Sequence, residues 1–367
     1  MKQLFKKITN IPALKTDKKL IVLLSDDWGS VRMRSLHDQN QLIDQGLNLN
    51  NRFDKFDALE SNIDLEYLFE VLLHYKDNKG NHPVITAVTN VANPNFNQIK
   101  EDGFQNYYFE SIQQTYQRNE GSDRVLDIVN KGIQQNIFVP QSHGREHLQV
   151  NWWLQELKDI NSVARKAFEN EYFFIAAQSL NKSRRGRGIG AAFDVWNELD
   201  IESHKSIAKS ALSLFEELYG YRSKVFTPPA MLYNPSLEDT LVKEGIDWLD
   251  VGRFLKIPLA GGSERYQYNY LGRNKKSGLK VLVRNCMFES NLSTTDNGVN
   301  HCLSTIEQAF NSKQPALISN HRACFVGRID QKNRDKGLKA FDLLLKTILE
   351  KWPDAEFVSA DKLVNKL

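Results

Sequence analysis

Short apolar runs rich in β-branched residues recur along the chain between longer stretches with helical spacing. The first run, residues 20–24, is apolar without interruption, which is typical of a strand buried on both faces of a sheet. Further strands are predicted at 84–88, 137–139, 173–175, 224–226, 248–251, 279–283, 316–318 and 356–358. Helices are predicted at about 57–75, 148–170, 203–219, 235–244, 301–312 and 334–351. This alternation indicates repeated βα units around a mostly parallel sheet.

The number of predicted strands bears on whether the sheet closes. Seven or eight strands with interleaved helices favour a closed or nearly closed (β/α)7–8 barrel, so the predicted fold class is α/β. An open, doubly wound sheet is the structural alternative. Of the 367 residues, 41% are hydrophobic and 25% charged, which is enough apolar material for a large core. We expect one domain over residues 1–367, with loop insertions at about 176–200 and 258–278.

Charge and cysteine content narrow the class of protein. The 48 Lys and Arg residues exceed the 45 Asp and Glu residues by three, too small a surplus to predict a nucleic-acid partner or a polybasic membrane patch. Three cysteines without a C-x-x-C pair fit a reducing compartment. We find no signal-peptide apolar segment and no run long enough to span a membrane, so we expect a cytoplasmic protein.

Two adjacent carboxylates, Asp26 and Asp27, end the first predicted strand, and Trp28 and Gly29 turn the chain away from it. Successive residues of an extended segment point in different directions, so one carboxylate can bind a metal ion while the other acts as a base. The alternative is a helix N-cap beside a solvated aspartate in a turn.

Two histidines four residues apart, His143 and His147, follow the predicted strand at 137–139. On one helical turn this spacing places both imidazoles on the same face, where they can bind one cation. Among eight histidines in 367 residues, roughly 0.15 pairs with this spacing are expected by chance, so the spacing alone only suggests a metal site. The position of the pair in the chain strengthens this interpretation. The pair lies at the C-terminal end of a strand, where barrels carry their active sites. Exposed or helix-stabilising histidines are the alternative.

A third histidine, His321, also stands at the end of a predicted strand. Its unperturbed pKa lies near neutrality, so it can protonate a leaving group there. A structural histidine is the alternative. Together, histidine and carboxylate ligands with an open position predict a catalytic divalent-metal site built from His143, His147 and one carboxylate of the Asp26-Asp27 pair.

These motifs resemble, in order, those of the polysaccharide deacetylase superfamily, carbohydrate esterases with a distorted (β/α) barrel. The likeness spans most of the chain and is carried by five segments, which are Ser25-Asp26-Asp27, His143-Gly-Arg-Glu-His147, Phe226-Thr-Pro-Pro-Ala230, Asp247-Trp-Leu-Asp250 and Leu317-Ile-Ser-Asn-His321. The pattern is similar to a divergent bacterial branch labelled polysaccharide (de)acetylase.

The resemblance implies a role for each segment. Asp26 is implied as the general base and His321 as the general acid. Asp27, His143 and His147 are implied as ligands of one divalent ion, zinc, that lowers the pKa of a bound water and polarises the acetyl carbonyl. Residues implied to contact the substrate or its oxyanion are Trp28, Arg145, Pro229, Ala230 and Asp250. The implied activity is removal of N- or O-linked acetyl groups from a polysaccharide or glycan intermediate.

The sequence departs from this family's pattern at two places. Thr227 stands where the third motif usually has an arginine that orients the catalytic aspartate, and Gly144 follows the first histidine where Ser or Thr is usual. Arg145, Arg284 and Arg322 are the candidate replacements, and the sequence does not choose among them.

Two other functions remain open. A metal-dependent glycosidase on a related barrel would use a second carboxylate, for which Glu146, Asp194 and Glu289 are candidates. A carbohydrate-binding protein without catalysis would explain the missing arginine. The basic, Gly-rich loop at 181–190 is a candidate contact for an anionic sugar rather than a dinucleotide, because no apolar strand precedes it.

Overall fold

The computed structural model describes residues 13–180, 187–291 and 298–366. Within them lie thirteen strands: β1 Leu20–Trp28, β2 Ile85–Thr89, β3 Ala92–Pro94, β4 Phe109–Ser111, β5 Phe138–Ser142, β6 Val225–Phe226, β7 Trp248–Asp250, β8 Phe254–Pro258, β9 Glu264–Tyr268, β10 Lys280–Leu282, β11 Cys286–Met287, β12 Ala316–His321 and β13 Glu356–Phe357.

The α-helices of these ranges are Leu36–Asp44, Arg52–Phe56, Asn62–His74, Phe96–Glu101, Ile112–Arg118, Val125–Gln134, Val150–Leu157, Val163–Phe168, Glu198–Tyr219, Glu238–Lys243, Val299–Asn311 and Gln331–Lys351. Short 3₁₀ turns span Ala177–Ser179, Pro229–Met231, Pro235–Leu237, Ala260–Gly262, Arg322–Cys324 and Ala360–Asn365. None of the helices in the described ranges combines the length and the apolar character that crossing a membrane requires.

The main sheet is parallel and has the strand order β10-β7-β6-β5-β2-β1-β12-β11, with β13 paired to the start of β1. Its two edge strands, β10 and β11, are consecutive in the chain and are separated by residues 283–285. Four Cα–Cα steps span at most about 14 Å, so the sheet must curl until its edges nearly meet. The result is an α/β barrel with one unpaired seam between β10 and β11, which confirms the predicted fold class.

Side chains alternate between the inside and the outside of this barrel. Leu20, Val22 and Leu24 of β1 point inward, whereas Ile21 and Leu23 pack against the surrounding helices. The inward set forms a barrel core with residues of the neighbouring strands, namely Val225, Trp248, Leu282 and Leu317. Two larger apolar clusters lie between the sheet and its helices.

The same two-residue period places polar side chains at the C-terminal mouth of the barrel. Each follows an inward apolar residue by two positions, and hydrogen bonds link them into a polar layer that consists of Asp26, Thr227, Asp250, Arg284 and Ser319. The strand order therefore brings together side chains that are up to 293 positions apart, since Asp26 and Ser319 both contact Arg284.

Most predicted elements are present, with two exceptions. Residues 173–175 are not a strand: Phe173 and Phe174 are buried and stacked in an aromatic cluster, because apolar side chains there pack on helices rather than beside another strand. The helix predicted at 148–170 is two helices, Val150–Leu157 and Val163–Phe168. Part of the loop insertion predicted at about 258–278 pairs as β9 with β8.

Gly337 of the last long helix packs directly against the segment that follows β12. A Cβ added at Gly337 would lie 1.8 Å from the carbonyl oxygen of Cys324. We expect Gly337→Ala to lower the free energy of unfolding by about 1–3 kcal/mol through overpacking, although alanine favours helix by about 1 kcal/mol. Urea unfolding measures this. Lys339→Ala, exposed on the same helix, is the control and should change stability by less than about 0.5 kcal/mol. Equal stability of both variants would contradict the contact.

Candidate active site

A left-handed residue at the end of β1 separates the two aspartates. Asp27 has φ 75°, and the pairing register with β2 shifts between Ser25 and Trp28. Asp26 therefore continues the inward face of β1, while the Asp27 carboxylate turns toward β5. Gly29 is required two positions after Asp27, because a Cβ there would lie 2.4 Å from the carbonyl oxygen of Asn90.

A buried arginine, Arg322, stabilises this turn through hydrogen bonds. Arg322 is fully buried, and its guanidinium donates to Asp57 (2.9 Å), to Glu60 (2.6 Å) and to the carbonyl oxygen of Ser30. Glu60 also accepts the backbone N–H of Gly29 at 2.9 Å. The turn that presents Asp27 is thus held by a charged network with no exposure to solvent.

The two histidines meet through a loop, not through a helical turn. β5 ends at Ser142, and residues 143–149 are not helical, so the helical premise of the sequence argument is wrong. Gly144 has φ 83°, and a Cβ there would lie 3.2 Å from the ring of Phe193. This tight reversal, which Ser or Thr would strain, folds His147 back toward His143 with their ring centroids 5.2 Å apart.

Asp27, His143 and His147 form the candidate metal site. Their ligand atoms all lie within 4.8 Å of one another. Asp27 Oδ1 is 3.3 Å from His143 Nε2 and 3.6 Å from His147 Nε2. Two ligands about 2.1 Å from one ion at a tetrahedral angle are roughly 3.4 Å apart, so these two edges fit a zinc-sized coordination tetrahedron.

The hydrogen bond of the His143 ring leaves its Nε2 available as a ligand atom. Its Nδ1–H donates to the carbonyl oxygen of Thr227 at 2.7 Å, which leaves a lone pair on Nε2 in the neutral imidazole. That lone pair faces the carboxylate oxygen of Asp27. Acceptor atoms that face one another repel unless a cation lies between them, so this donor set fits a divalent ion.

The pKa values of two of these groups also favour the ligand forms. Burial raises the pKa of Asp27, but the interactions of its carboxylate with His143, His147 and His321 outweigh burial and hold this pKa well below its usual range. Burial lowers the pKa of His147 to about 4, and Asp27 offsets this in part. The carboxylate and the neutral imidazole both bind metal near neutral pH.

The other aspartate is held by an arginine from the barrel seam. Arg284 donates to both carboxylate oxygens of Asp26, at 2.7 and 2.6 Å, and also to Asp250 Oδ2 and Ser319 Oγ. Thr227 donates its hydroxyl to the same Asp250 oxygen at 2.9 Å. Burial raises the pKa of Asp250 despite the charge and hydrogen bond of Arg284.

This contact distinguishes the three arginines that the sequence left open. Arg284 contacts Asp26, whereas Arg145 forms a two-pronged pair with Glu146 and packs on the ring of Phe109. Arg322 lies beneath the turn. Position 284 follows β10, which lies two strands across the sheet from β6, the strand that leads into the motif that contains Thr227. No sequence spacing indicated this position, because the contact depends on closure of the barrel.

His321 is oriented by two residues that the sequence reasoning did not connect with it. Its Nδ1 donates to Glu289 at 2.5 Å, and its Nε2 lies 3.8 Å from Asp26 Oδ2. Arg52 donates to the second oxygen of Glu289 at 2.5 Å, and Phe53 packs edge-on against the imidazole. Arg52 and Phe53 belong to a five-residue helix that no periodicity could reveal.

The environment of His321 favours its charged form. Burial lowers its pKa, but the hydrogen bond and charge of Glu289, with the charges of Asp27 and Asp26, give a net increase. The pKa of Glu289 is lowered: burial raises this pKa, but the contacts with His321 and Arg52 outweigh burial. Both shifts describe an ion pair with the proton on His321.

The remaining predicted residues lie around this centre in different environments. Pro229 and Ala230 form a 3₁₀ turn after β6, and Ala230 has φ 57° and is exposed. Trp28 is buried, with its indole edge-on to Phe138. Of the basic loop, residues 181–186 lie outside the described residues, and Arg187 forms ion pairs with Asp194 and Glu264.

Comparison with known proteins gives one family match and several structural likenesses. The family model that matches is glycosyl hydrolase family 57, over residues 192–295, which is less than a third of the chain. No curated protein sequence matches. Proteins assigned as polysaccharide deacetylases are found among the structural neighbours, whereas the matching family model is not a deacetylase family.

Three solved structures illustrate the likeness. The 4-alpha-glucanotransferase of Thermococcus litoralis has 9% identity and a TM-score of 0.48, over 95% of this chain and 40% of that enzyme. A Mycobacterium smegmatis protein assigned as a polysaccharide deacetylase has 10% identity and a TM-score of 0.47, over 97% and 94%. The family 57 branching enzyme of Thermococcus kodakaraensis has 11% identity and a TM-score of 0.46, over 96% and 71%. At such identities and TM-scores, activity does not follow from likeness.

The three-ligand cluster predicts how much metal the protein holds. We expect elemental analysis after dialysis against dilute zinc to find about one ion per chain. His143→Ala should lose this ion because one of three protein ligands is gone. The control is His74→Ala, which changes an exposed histidine away from the cluster and should retain the metal. Equal zinc content in both variants would contradict the assigned ligands.

Proposed function

We propose that this protein is a metal-dependent hydrolase that removes acyl groups, acetyl among them, from a carbohydrate. The observation that carries the proposal is that a candidate metal site lies beside a candidate base and a candidate acid. The donor set of Asp27, His143 and His147 suits a divalent ion, zinc by its ligand types. Beside it lie a carboxylate held in place by Arg284 and a histidine paired with Glu289.

The chemistry divides between these groups. A divalent ion held by Asp27, His143 and His147 would lower the pKa of a bound water and polarise the acyl carbonyl. Asp26, fixed in orientation by Arg284, accepts the proton of the attacking water. A carbon–oxygen bond forms and the bond from the acyl carbon to nitrogen or oxygen breaks.

The leaving group takes its proton from His321. Its Nδ1 is occupied by Glu289, which leaves Nε2, on the side of Asp26, to donate to the departing amine or alcohol. The exposed 3₁₀ turn at Ala230 offers a backbone N–H for the oxyanion. The products are a carboxylic acid and a free amino or hydroxyl group on the sugar.

Glycosidic cleavage is the second candidate, because the matching family model is a glycosyl hydrolase family. A glycosidase of the usual kind needs two carboxylates that face the sugar. The candidates Glu146, Asp194 and Glu289 are at most 4% exposed, and Glu146 and Glu289 are bound by arginines. The geometry therefore favours acyl removal.

Replacing the proposed base tests the reaction. We expect Asp26→Asn to lower the rate of acetate release from an N-acetylated oligosaccharide by at least about 100-fold, because an amide cannot accept the proton of water. Its zinc content should stay at the wild-type level. Asp239→Asn, exposed and distant from the site, is the control. Full activity in Asp26→Asn would remove Asp26 from this role, and new reducing ends without acetate would indicate glycosidic cleavage.

The ion pair of His321 predicts a change in pH dependence. Glu289 contributes to the raised pKa of His321, alongside Asp26 and Asp27, while the Arg52 guanidinium lies 2.5 Å from Glu289 and 3.3 Å from His321 Nδ1. Because the acid must be protonated, activity should fall as pH rises through this pKa. In Glu289→Gln the loss of charge lowers the pKa, so the alkaline limb of the kcat/KM profile should move to lower pH. An unmoved limb would show that His321 is not the titrating acid.

A further inference from the structure

An open cavity of about 350 Å³ lies at the barrel seam, next to the proposed site. Its walls include Met231, Val251, Met287 and Thr305. Arg284 and Ser319 of the polar layer also line it. The cavity therefore occupies the gap left where β10 and β11 do not pair, and a helix, Val299–Asn311, supplies one side.

Two features connect this cavity with the reacting groups. Arg284, which lines it, is the residue that holds Asp26. Met231, also in the wall, directly follows Ala230, the proposed oxyanion donor. A substituent on a carbonyl carbon held between Asp26 and Ala230 thus has the cavity beside it.

The polar groups of the cavity are already engaged. All five N–H groups of Arg284 have acceptors in Asp26, Asp250 and Ser319. The Thr305 hydroxyl donates to the carbonyl oxygen of Cys302 at 2.8 Å. Asn285 donates to Pro315 and accepts from the N–H of Leu317. His301 stands at the exposed rim.

What remains for a ligand is mostly the thioethers of Met231 and Met287, the side chain of Val251 and backbone at Gly252. Such a surface binds an uncharged aliphatic group and offers little to an anion or to the hydroxyls of a sugar. A cavity of this volume exceeds the needs of a single methyl group and has room for several methylenes.

We infer that the seam cavity binds the acyl chain of the substrate, and that this chain is an uncharged aliphatic acyl group longer than acetyl. The inference rests on the proposed acyl removal for the identity of its occupant. Each buried methylene should tighten binding about three- to fourfold until the cavity is filled.

The methionines permit a direct test by NMR of the zinc-loaded protein with methyl-¹³C methionine. The chain has four methionines, two of which, Met231 and Met287, line the cavity. Met33 is buried in a different apolar cluster and is an internal control. Met231→Leu and Met287→Leu assign the signals.

The probes are N-butyryl-D-glucosamine, N-acetyl-D-glucosamine and D-glucosamine. We expect the butyryl compound to shift the Met231 and Met287 signals, with Met33 unchanged, and to bind about tenfold more tightly than the acetyl compound. D-glucosamine should leave all signals in place. Equal shifts with D-glucosamine would mean that the cavity binds the sugar, and absence of shifts with the butyryl compound would overturn the inference.

A second measurement separates this inference from the proposed function. Met287→Trp should fill the cavity and lower the ratio of butyrate to acetate release by about tenfold or more, while Ile160→Trp, 73% exposed, should keep the wild-type ratio. Suppose that acetate release depends on Asp26, but that the methionine signals do not shift and butyrate is not preferred. This result would overturn the acyl-binding role of the cavity and leave the proposed hydrolysis in place. Methionine shifts without release of either acid would overturn the hydrolysis and retain the binding site.

Discussion

The guanidinium of Arg284 connects the two sides of a barrel whose edge strands do not pair. It binds Asp250 at the end of β7 on one side of the seam, and Asp26 and Ser319 of β1 and β12 on the other. No backbone ladder joins β10 to β11 in the described sheet, and this buried cation provides a polar link across the mouth. Removing one partner of such a network leaves a buried, uncompensated charge, which costs about 3–5 kcal/mol. The residue that completes the barrel is therefore also the residue that orients the proposed base.

A second buried arginine fixes the other half of the site. Arg322 follows His321 directly, and it anchors the turn that presents Asp27 through Glu60 and Ser30. The proposed acid, base and metal ligand are thus positioned by networks that share few atoms but meet at the end of β1. The left-handed φ of Asp27 is held in place by these contacts, which is the usual condition for backbone strain at a functional site.

Several features of the site were predictable from sequence because they are local. A strand that ends in two carboxylates, or in a histidine, needs no long-range information to be recognised, and parallel strands carry their C-terminal ends to one rim. The errors were also local in origin. Spacing alone suggested a helical turn for His143 and His147, but the positive φ of Gly144 makes a loop. Apolar residues at 173–175 satisfied a strand pattern, yet none of the described strands pairs with them, and Phe173 and Phe174 stack in an aromatic cluster.

By itself the sequence determined the fold class and the polar residues that stand at the strand ends, since period and residue type specify these. The choice of Asp27 rather than Asp26 as a candidate ligand came from the family resemblance. Only the tertiary structure decided which arginine meets Asp26 and which acid meets His321. Arg284 is 258 residues from Asp26, and Glu289 is 32 residues from His321. Such pairs form when a sheet curls and its edges approach, and their geometry depends on strand order and closure rather than on any local pattern. For the same reason the seam cavity had no counterpart in the sequence: it is a space left between edges that the chain joins by three residues and does not pair.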